Sequence, residues 1–297
     1  MGKDLAASFL AAREVFEEVD DALKQRLSRL MFEGPEDELV LTENAQPALM
    51  ALSLAAMRTL ERQGGLRLAE AADFVAGHSL GEYSALAAAG TFSVWDAALV
   101  LKARGQAMQQ AVPVGIGAMA AILGLGLEAV RAVVAQAAEG EICSTANDNS
   151  DEQVVVSGHA GAVARAVELA KAKGAKRGIM LPVSAPFHCA LMQPAADAMA
   201  KRLADVAMAA PAVPVVANVN ASPARDPAEI RILLVDQVCQ LVRWRESVLA
   251  MRAQGVDTFV EVGAGKVLSG LVRRIDRDAR CHAVGTPAEI EAFLKTV

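Results

Sequence analysis

Apolar residues in the N-terminal third recur every three or four positions, the period of a helix with one buried face. That spacing predicts helices over "LAASFLAAREVFEEVDDAL" (5–23), "NAQPALMALSLAAMRTLERQG" (44–64) and "SVWDAALVLKARGQAMQQAV" (93–112). Between the second and third, the apolar run "FVAG" (74–77) reads as a buried strand, and "LGEYSALAAAG" (80–90) as a helix closed by Gly90.

From Gly117 the rhythm changes. "GAMAAILGL" predicts a strand, "GLEAVRAVVAQAAEG" a helix, "EICSTAN" and "EQVVVSG" two strands joined by the turn-rich "DNSD", "AGAVARAVELAKAKG" a helix and "KRGIMLPVSA" a strand. The order βαββαβ is that of a ferredoxin-like split unit. It predicts a small lobe at 114–184, inserted into a large lobe made of 1–113 and 185–297. After it, "VPVVANVN" reads as a strand, 226–255 as helical, and strands "DTFVEVG" and "CHAVGT" alternate with helices "KVLSGLVRRI" and "PAEIEAFLKTV". Alternation of this kind predicts an α/β fold with a mainly parallel sheet covered on both faces.

The bend between "FVAG" and its helix holds the first candidate for chemistry. Gly77, Ser79 and Gly81 have the G-x-S-x-G spacing of a nucleophile elbow. Glycines relieve crowding at so sharp a turn, and the unpaired N–H groups of the new helix point at any oxyanion formed there, with the Leu80 N–H as the natural first donor. The competing reading is a tight turn with a serine N-cap.

A serine nucleophile needs a base, and the chain has four histidines. His78 adjoins the serine, but neighbours across a bend point apart, so it reads as packing. His159 lies at the start of a small-lobe helix, which suits a capping or surface role, and His282 opens a C-terminal strand. His188 lies in "PVSAPFHCALM", where the chain re-enters the large lobe past a strand end, the place where α/β proteins gather their sites. It is the base candidate, against a structural histidine as the alternative. Arg104 shares the buried stripe of its helix with Ala97, Val100, Leu101 and Met108. A buried guanidinium needs a partner. It is either a fork for a substrate carboxylate or half of an internal ion pair, and spacing alone favours the ion pair.

"EVGAGKVLSG" lacks the first glycine and the Ser or Thr of a phosphate loop, and its glycines do not fit a dinucleotide fingerprint, so it reads as a strand-to-helix turn. No cluster of His, Cys, Asp or Glu has metal-ligand spacing. The 297 residues are 54% hydrophobic, enough for a large core. A net charge of −6 without a basic stripe argues against nucleic acid as partner. No signal peptide is recognised, and the longest uncharged run, Ala111 to Leu127, is broken by Pro113 and four glycines and falls short of a membrane span. Four cysteines without CxxC spacing read as reduced thiols of a cytoplasmic protein.

Taken together and in order, "GHSLGEYSAL", "RGQAMQQAVPVGIGAMAAILG", "PFHCALMQPAAD", "NVNASP", "DQVCQLVRW" and "EVGAGKVLSGL" resemble the malonyl-CoA:acyl-carrier-protein transacylase family over nearly the whole chain. The resemblance implies an α/β-hydrolase-like large lobe with a ferredoxin-like insert. It also implies transfer of a malonyl group from malonyl-CoA to the phosphopantetheine thiol of an acyl carrier protein, by a ping-pong route through a malonyl-serine. Ser79 matches the acylated nucleophile, His188 its base, and Arg104 the arginine that holds the malonyl carboxylate. Gln237 matches the residue whose main-chain carbonyl orients the histidine, Leu80 an oxyanion N–H donor, and Asn147 a polar position near the pocket, to which His78 also belongs.

No bound metal or redox cofactor is implied, and a monomer suffices. A serine hydrolase or thioesterase on the same elbow, and a carrier-binding remnant without activity, are the rival expectations. Two departures from the family pattern stand out. The family opens with an apolar strand and a "GQGSQ"-like loop that supplies a second oxyanion N–H, whereas this chain begins inside the helix that should follow. Phe187, directly before His188, narrows the space at the acyl α-carbon and favours malonyl over methylmalonyl groups. The basic run "KAKGAKR", Lys171 to Arg177, is either a carrier-docking patch or a solvated helix end.

Overall fold

The computed structural model describes residues 1–183 and 185–296. Ser184, at the expected end of the small lobe, and Val297 lie outside the described residues. The chain opens with helices α1 (Lys3–Ser8), α2 (Leu10–Leu23), α3 (Leu27–Glu33), α4 (Glu36–Leu39), α5 (Thr42–Gly64) and α6 (Leu68–Ala71). Phe9, in an extended conformation, splits the expected first helix into α1 and α2. Strand β1 (Val75–Ala76) leads through the elbow into α7 (Leu80–Ala88), followed by α8 (Val94–Gln110). Val15 and Phe16 of α2, Met50 and Leu54 of α5, and Val100, Leu101 and Met108 of α8 share one buried core.

Helices α5 and α8 approach unusually closely at one point. A Cβ on Gly105 would stand 2.5 Å from the Glu43 Cα and 2.6 Å from the Thr42 carbonyl oxygen. The missing side chain lets α8 press on the start of α5, which brings Arg104 beside Gln46.

The insert follows the predicted order: β2 (Gly117–Leu123), α9 (Leu127–Ala138), β3 (Cys143–Ser150), β4 (Gln153–His159), α10 (Ala160–Ala172) and β5 (Arg177–Met180). Its sheet runs β3-β4-β2-β5, antiparallel throughout, which is the ferredoxin-like arrangement. Ala120 and Ile122 point to the face covered by α9 and α10, while Met119 and Ala121 point to the other face, with Phe187. Two expectations shift here. Asp148 to Ser150 of the predicted "DNSD" turn belong to β3 as an irregular ladder, and β5 stops at Met180.

Helix α11 (Gln193–Ala204) returns to the large lobe, followed by β6 (Val215–Val216), β7 (Pro223–Ala224), α12 (Pro227–Asp236) and α13 (Trp244–Ala253). Strand β8 (Thr258–Val262), α14 (Val267–Ile275), β9 (Arg280–Val284) and α15 (Pro287–Leu294) complete the chain. Strand β1 runs parallel to β6, and β8 parallel to β9, with β7 antiparallel on β6. The expected strand 213–220 shrinks to β6 because the chain turns after it, the Ala221 N–H donating to the Ala217 carbonyl at 2.9 Å.

The expected helix 226–255 is broken at 237–243, where tertiary pairing overrides local propensity. The Val242 N–H donates to Ala146 of β3, the Asp148 N–H to Val242, and the Arg243 N–H to Asn218, all at 2.9 Å. Among the described residues, no helix is long and apolar enough to cross a membrane. Of the basic run on the small lobe, Lys171 pairs with Glu168 at 2.8 Å and Lys176 with Glu152 at 2.6 Å. Half of that charge is already matched, which favours the solvated helix end over a docking patch.

The Gly105 contact generates a stability prediction. Alanine has the better helix propensity, by about 1 kcal/mol, but overpacking against a neighbouring backbone costs about 1–3 kcal/mol. Gly105→Ala is expected to lower the midpoint of urea unfolding. A raised midpoint would show that the α5–α8 approach tolerates a methyl group.

Candidate active site

Strands β1 and β6 lie side by side and parallel, with Ala76 opposite Val216. Their C-terminal ends therefore bring Gly77–Ser79 next to Asn218. Ser79 has φ 53° and ψ −112°, a conformation that costs a residue with a Cβ. The Asn218 side chain spans the bend, accepting from the Ser79 N–H at 2.7 Å and donating to the Gly77 carbonyl at 2.8 Å. A Cβ on Gly77 would stand 2.0 Å from the Gly81 carbonyl group, so this glycine is required. Gly81 has open space where its own Cβ would be, contrary to the expectation that both glycines relieve crowding.

The His188 Nε2 lies 2.8 Å from the Ser79 Oγ, and its Nδ1 lies 2.8 Å from the Gln237 main-chain carbonyl oxygen. A carbonyl can only accept, so Nδ1 carries the proton and Nε2 is left to accept from the serine hydroxyl. His188 is buried, with φ 58°. Burial first, and the nearby Arg104 charge second, push its pKa down to about 3, so the imidazole is neutral and its Nε2 lone pair is unoccupied by a proton.

Arg104 is 1% exposed. One terminal nitrogen donates to Gln46 Oε1 at 2.7 Å, and the other to Gln237 Oε1 at 2.9 Å and to Ser79 Oγ at 3.1 Å. Its Nε is buried without a hydrogen-bond partner. Among the described residues, no carboxylate pairs with it, so the ion pair favoured by helix spacing is not formed. The Leu80 N–H, at the first position of α7, donates to no protein atom among the described residues and is left as a free donor.

The remaining candidates are placed differently. His78 packs by the Trp244 ring, centroids 5.8 Å apart, and its Nε2 bonds Asn149 Oδ1 at 2.8 Å. Asn147, the expected polar pocket residue, is buried, and its backbone pairs with Val242. The polar contact to the elbow comes from Asn149, two residues on. Phe187 is partly buried between the cores of the two lobes. His159 caps nothing, and its Nδ1 accepts from the Ile142 N–H at 2.9 Å.

Sequence reasoning missed Gln46, Asn218 and Glu82, which are all buried at the site. Glu82 lies three residues after Ser79, a spacing that signals a capping box. Its carboxylate does not cap. It accepts from the Asn218 N–H at 3.0 Å and from Gln237 Nε2 at 2.7 Å. Burial pushes its pKa up to about 7.

A serine hydroxyl, a neutral imidazole on it, a free N–H donor at a helix start and a buried guanidinium together suit acyl transfer. Residues 1–288 match the acyl transferase domain family. The chain belongs to the acyl transferase family. Within it, the chain is 45% identical over 298 residues to a malonyl CoA-acyl carrier protein transacylase of Bacillus subtilis, covering all of this chain and 92% of that one. It is 46% identical over 292 residues to the protein of that name from Escherichia coli, covering 98% and 93%. Among solved structures, an acyl-carrier-protein-S-malonyltransferase from Bartonella henselae superposes with a TM-score of 0.97 at 56% identity, covering 100% of this chain and 94% of that one. A malonyl-transacylase solved in complex with a type II PKS acyl-carrier protein superposes with a TM-score of 0.96 at 42% identity, over 100% and 95% of the two chains.

The depressed His188 pKa sets a pH dependence for this acyl transferase. Between about pH 3 and 6.5 the unfolded chain binds a proton at His188 that the folded chain refuses, so this residue makes stability fall as pH falls below 6.5. His188→Gln removes that contribution. Relative to wild type, the variant is expected to gain roughly 1.4 kcal/mol for each pH unit from 6 down to 4. Denaturant melts of both proteins across that range check it, and a constant difference would contradict a buried neutral histidine.

Proposed function

We propose that this chain moves a malonyl group from malonyl-CoA to the phosphopantetheine thiol of an acyl carrier protein. The observation that carries the reading is the buried Arg104 fork, without a carboxylate of its own, 3.1 Å from the Ser79 Oγ. His188 Nε2 takes the Ser79 hydroxyl proton while Oγ attacks the thioester carbonyl carbon. The oxyanion lies at the Leu80 N–H, and the α7 helix dipole adds to its stabilisation. The tetrahedral intermediate collapses, the C–S bond breaks, and the CoA thiolate leaves with the proton from His188. The carrier thiol then gives its proton to His188 and attacks the malonyl-serine ester, and Ser79 recovers the proton as it leaves.

Arg104 holds the free malonyl carboxylate through both steps, a bidentate contact that an acetyl group cannot make. Phe187 bounds the acyl pocket, which disfavours branched groups. In this reading residues 1–113 and 185–297 form the catalytic lobe and 114–184 the ferredoxin-like lobe, a division supported by their separate cores. Free thiols at Cys143, Cys189, Cys239 and Cys281 support a cytoplasmic setting.

Incubation with malonyl-CoA followed by intact mass measurement tests the nucleophile. Wild type is expected to gain one malonyl group and Ser79→Ala none, with its fold intact. A malonyl group on the variant would assign the nucleophile elsewhere. Loss of the ester to water before any thiol is added would favour the hydrolase reading.

Arg104→Ala tests the substrate. Stranding a buried carboxylate costs about 3–5 kcal/mol, so kcat/KM for malonyl-CoA is expected to fall by at least about a hundredfold. Acetyl-CoA carries no charge to strand and is expected to hold its rate. Equal losses for both thioesters, with the variant still folded, would make Arg104 a structural residue.

A further inference from the structure

Gln237 is connected at both ends of its residue, and the two connections lead to different catalytic groups. Its main-chain carbonyl holds His188 Nδ1 at 2.8 Å. Its side chain faces the other way. The amide oxygen accepts from Arg104 at 2.9 Å, and the amide nitrogen donates to Glu82 Oε2 at 2.7 Å and to the Ser79 carbonyl at 3.1 Å. Gln237 and Glu82 are both essentially removed from solvent, at 0% and 1% exposure, so neither can exchange these partners for water.

An amide could be placed either way round in such a site. Placed the wrong way, its NH2 group would face the Arg104 guanidinium, donor against donor. Glu82 prevents this. Its Oε2 accepts from a second donor, the Asn218 main-chain N–H at 3.0 Å, and so meets the amide as an acceptor in either protonation state of the carboxyl. The amide nitrogen is drawn to Glu82 and the amide oxygen is left for Arg104. Gln46 Oε1 fixes the other terminal nitrogen at 2.7 Å, so the plane of the guanidinium is set by two amide oxygens from opposite sides.

We propose that Glu82 and the Gln237 side chain form a relay that positions the Arg104 fork for an acyl group bearing a carboxylate, separately from the Gln237 main chain, which positions the base. Both are positioning residues acting through Arg104. The proposal rests on the malonyl reading above. It also divides Gln237 into two functions that mutation can separate, because a side-chain substitution leaves the carbonyl to His188 in place.

The experiment measures kcat/KM for malonyl-CoA and acetyl-CoA in wild type, Gln237→Met, Glu82→Met and Glu82→Gln, each with a melting curve. In Gln237→Met and Glu82→Met the malonyl-to-acetyl ratio is expected to fall by at least about tenfold, the scale of one lost charge-assisted hydrogen bond, whatever loss the two thioesters share. Glu82→Gln can keep an accepting oxygen on Asn218 N–H and Gln237 Nε2, and is expected to retain the ratio within about threefold. In an Arg104→Ala background, Gln237→Met is expected to leave the ratio unchanged, since the relay has nothing left to position.

Parallel loss of both substrates in the folded methionine variants, or a ratio unaffected by them, would overturn the relay. So would a collapsed ratio in Glu82→Gln, which as an isostere decides the question even where the methionine variants fail to fold. A wild type with no preference for malonyl-CoA would instead overturn the functional reading itself, so the two failures are told apart.

Discussion

A single buried positive charge organises this molecule. The Arg104 guanidinium is carried inward on α8 and met by three neutral oxygens, from Gln46, Ser79 and Gln237. Burying a guanidinium without an anion is costly, and hydrogen bonds from neutral groups offset only part of it. The remainder is available to a ligand. A carboxylate entering such a cage meets a guanidinium that no acid among the described residues pairs with directly, Glu82 reaching it only through the Gln237 amide, and a fork already oriented. The same charge also disfavours a proton on His188.

The elbow depends on a second constraint, the backbone strain stored at both Ser79 and His188. Ser79 and His188 both adopt positive φ without being glycine. Conformations of this kind persist where the surroundings over-determine them. Here the Asn218 amide locks the Ser79 bend, and the Gln237 carbonyl locks the His188 ring. Asn218 and Gln237 are in turn tied to Glu82, so one carboxylate in the first turn of α7 is shared by the supports of Ser79, His188 and Arg104. Its position near the positive end of the helix dipole favours the charged form, while burial opposes it.

The inserted lobe is coupled to this centre through backbone as well as side chains. Strand β3 pairs with Val242 in the break between α12 and α13, and Asn149 bonds His78 beside the nucleophile. The second face of the small sheet packs on Phe187, next to the base. The insert is thereby packed on and hydrogen-bonded to the residues that flank Ser79 and His188.

Periodicity alone carried the class of fold. The helical stripes, the βαββαβ order and the strand-bend-helix around Ser79 follow from local spacing of apolar residues and glycines, which depends on no distant contact. The short motifs around Ser79, His188, Arg104 and Gln237 carried the core of the site through their family resemblance. What local pattern could not decide was where tertiary bonds compete with it. The run 226–255 is helical by propensity, yet pairing of Val242 with β3 unwinds its middle and leaves the Gln237 carbonyl for His188. Spacing put Arg104 on a buried face but favoured an acid as its partner, and only the packing of α5 on α8 at Gly105, which brings in Gln46, and the break after α12, which brings in Gln237, show that the partners are amides. The S-x-x-E spacing of Ser79 and Glu82 was present in the sequence as a cap signal. The parallel placement of β6 beside β1 supplied Asn218 in its stead, and so released the carboxylate to Gln237. A hydrogen bond between residues more than a hundred positions apart leaves no trace in local spacing, and the site is built largely from bonds of that kind.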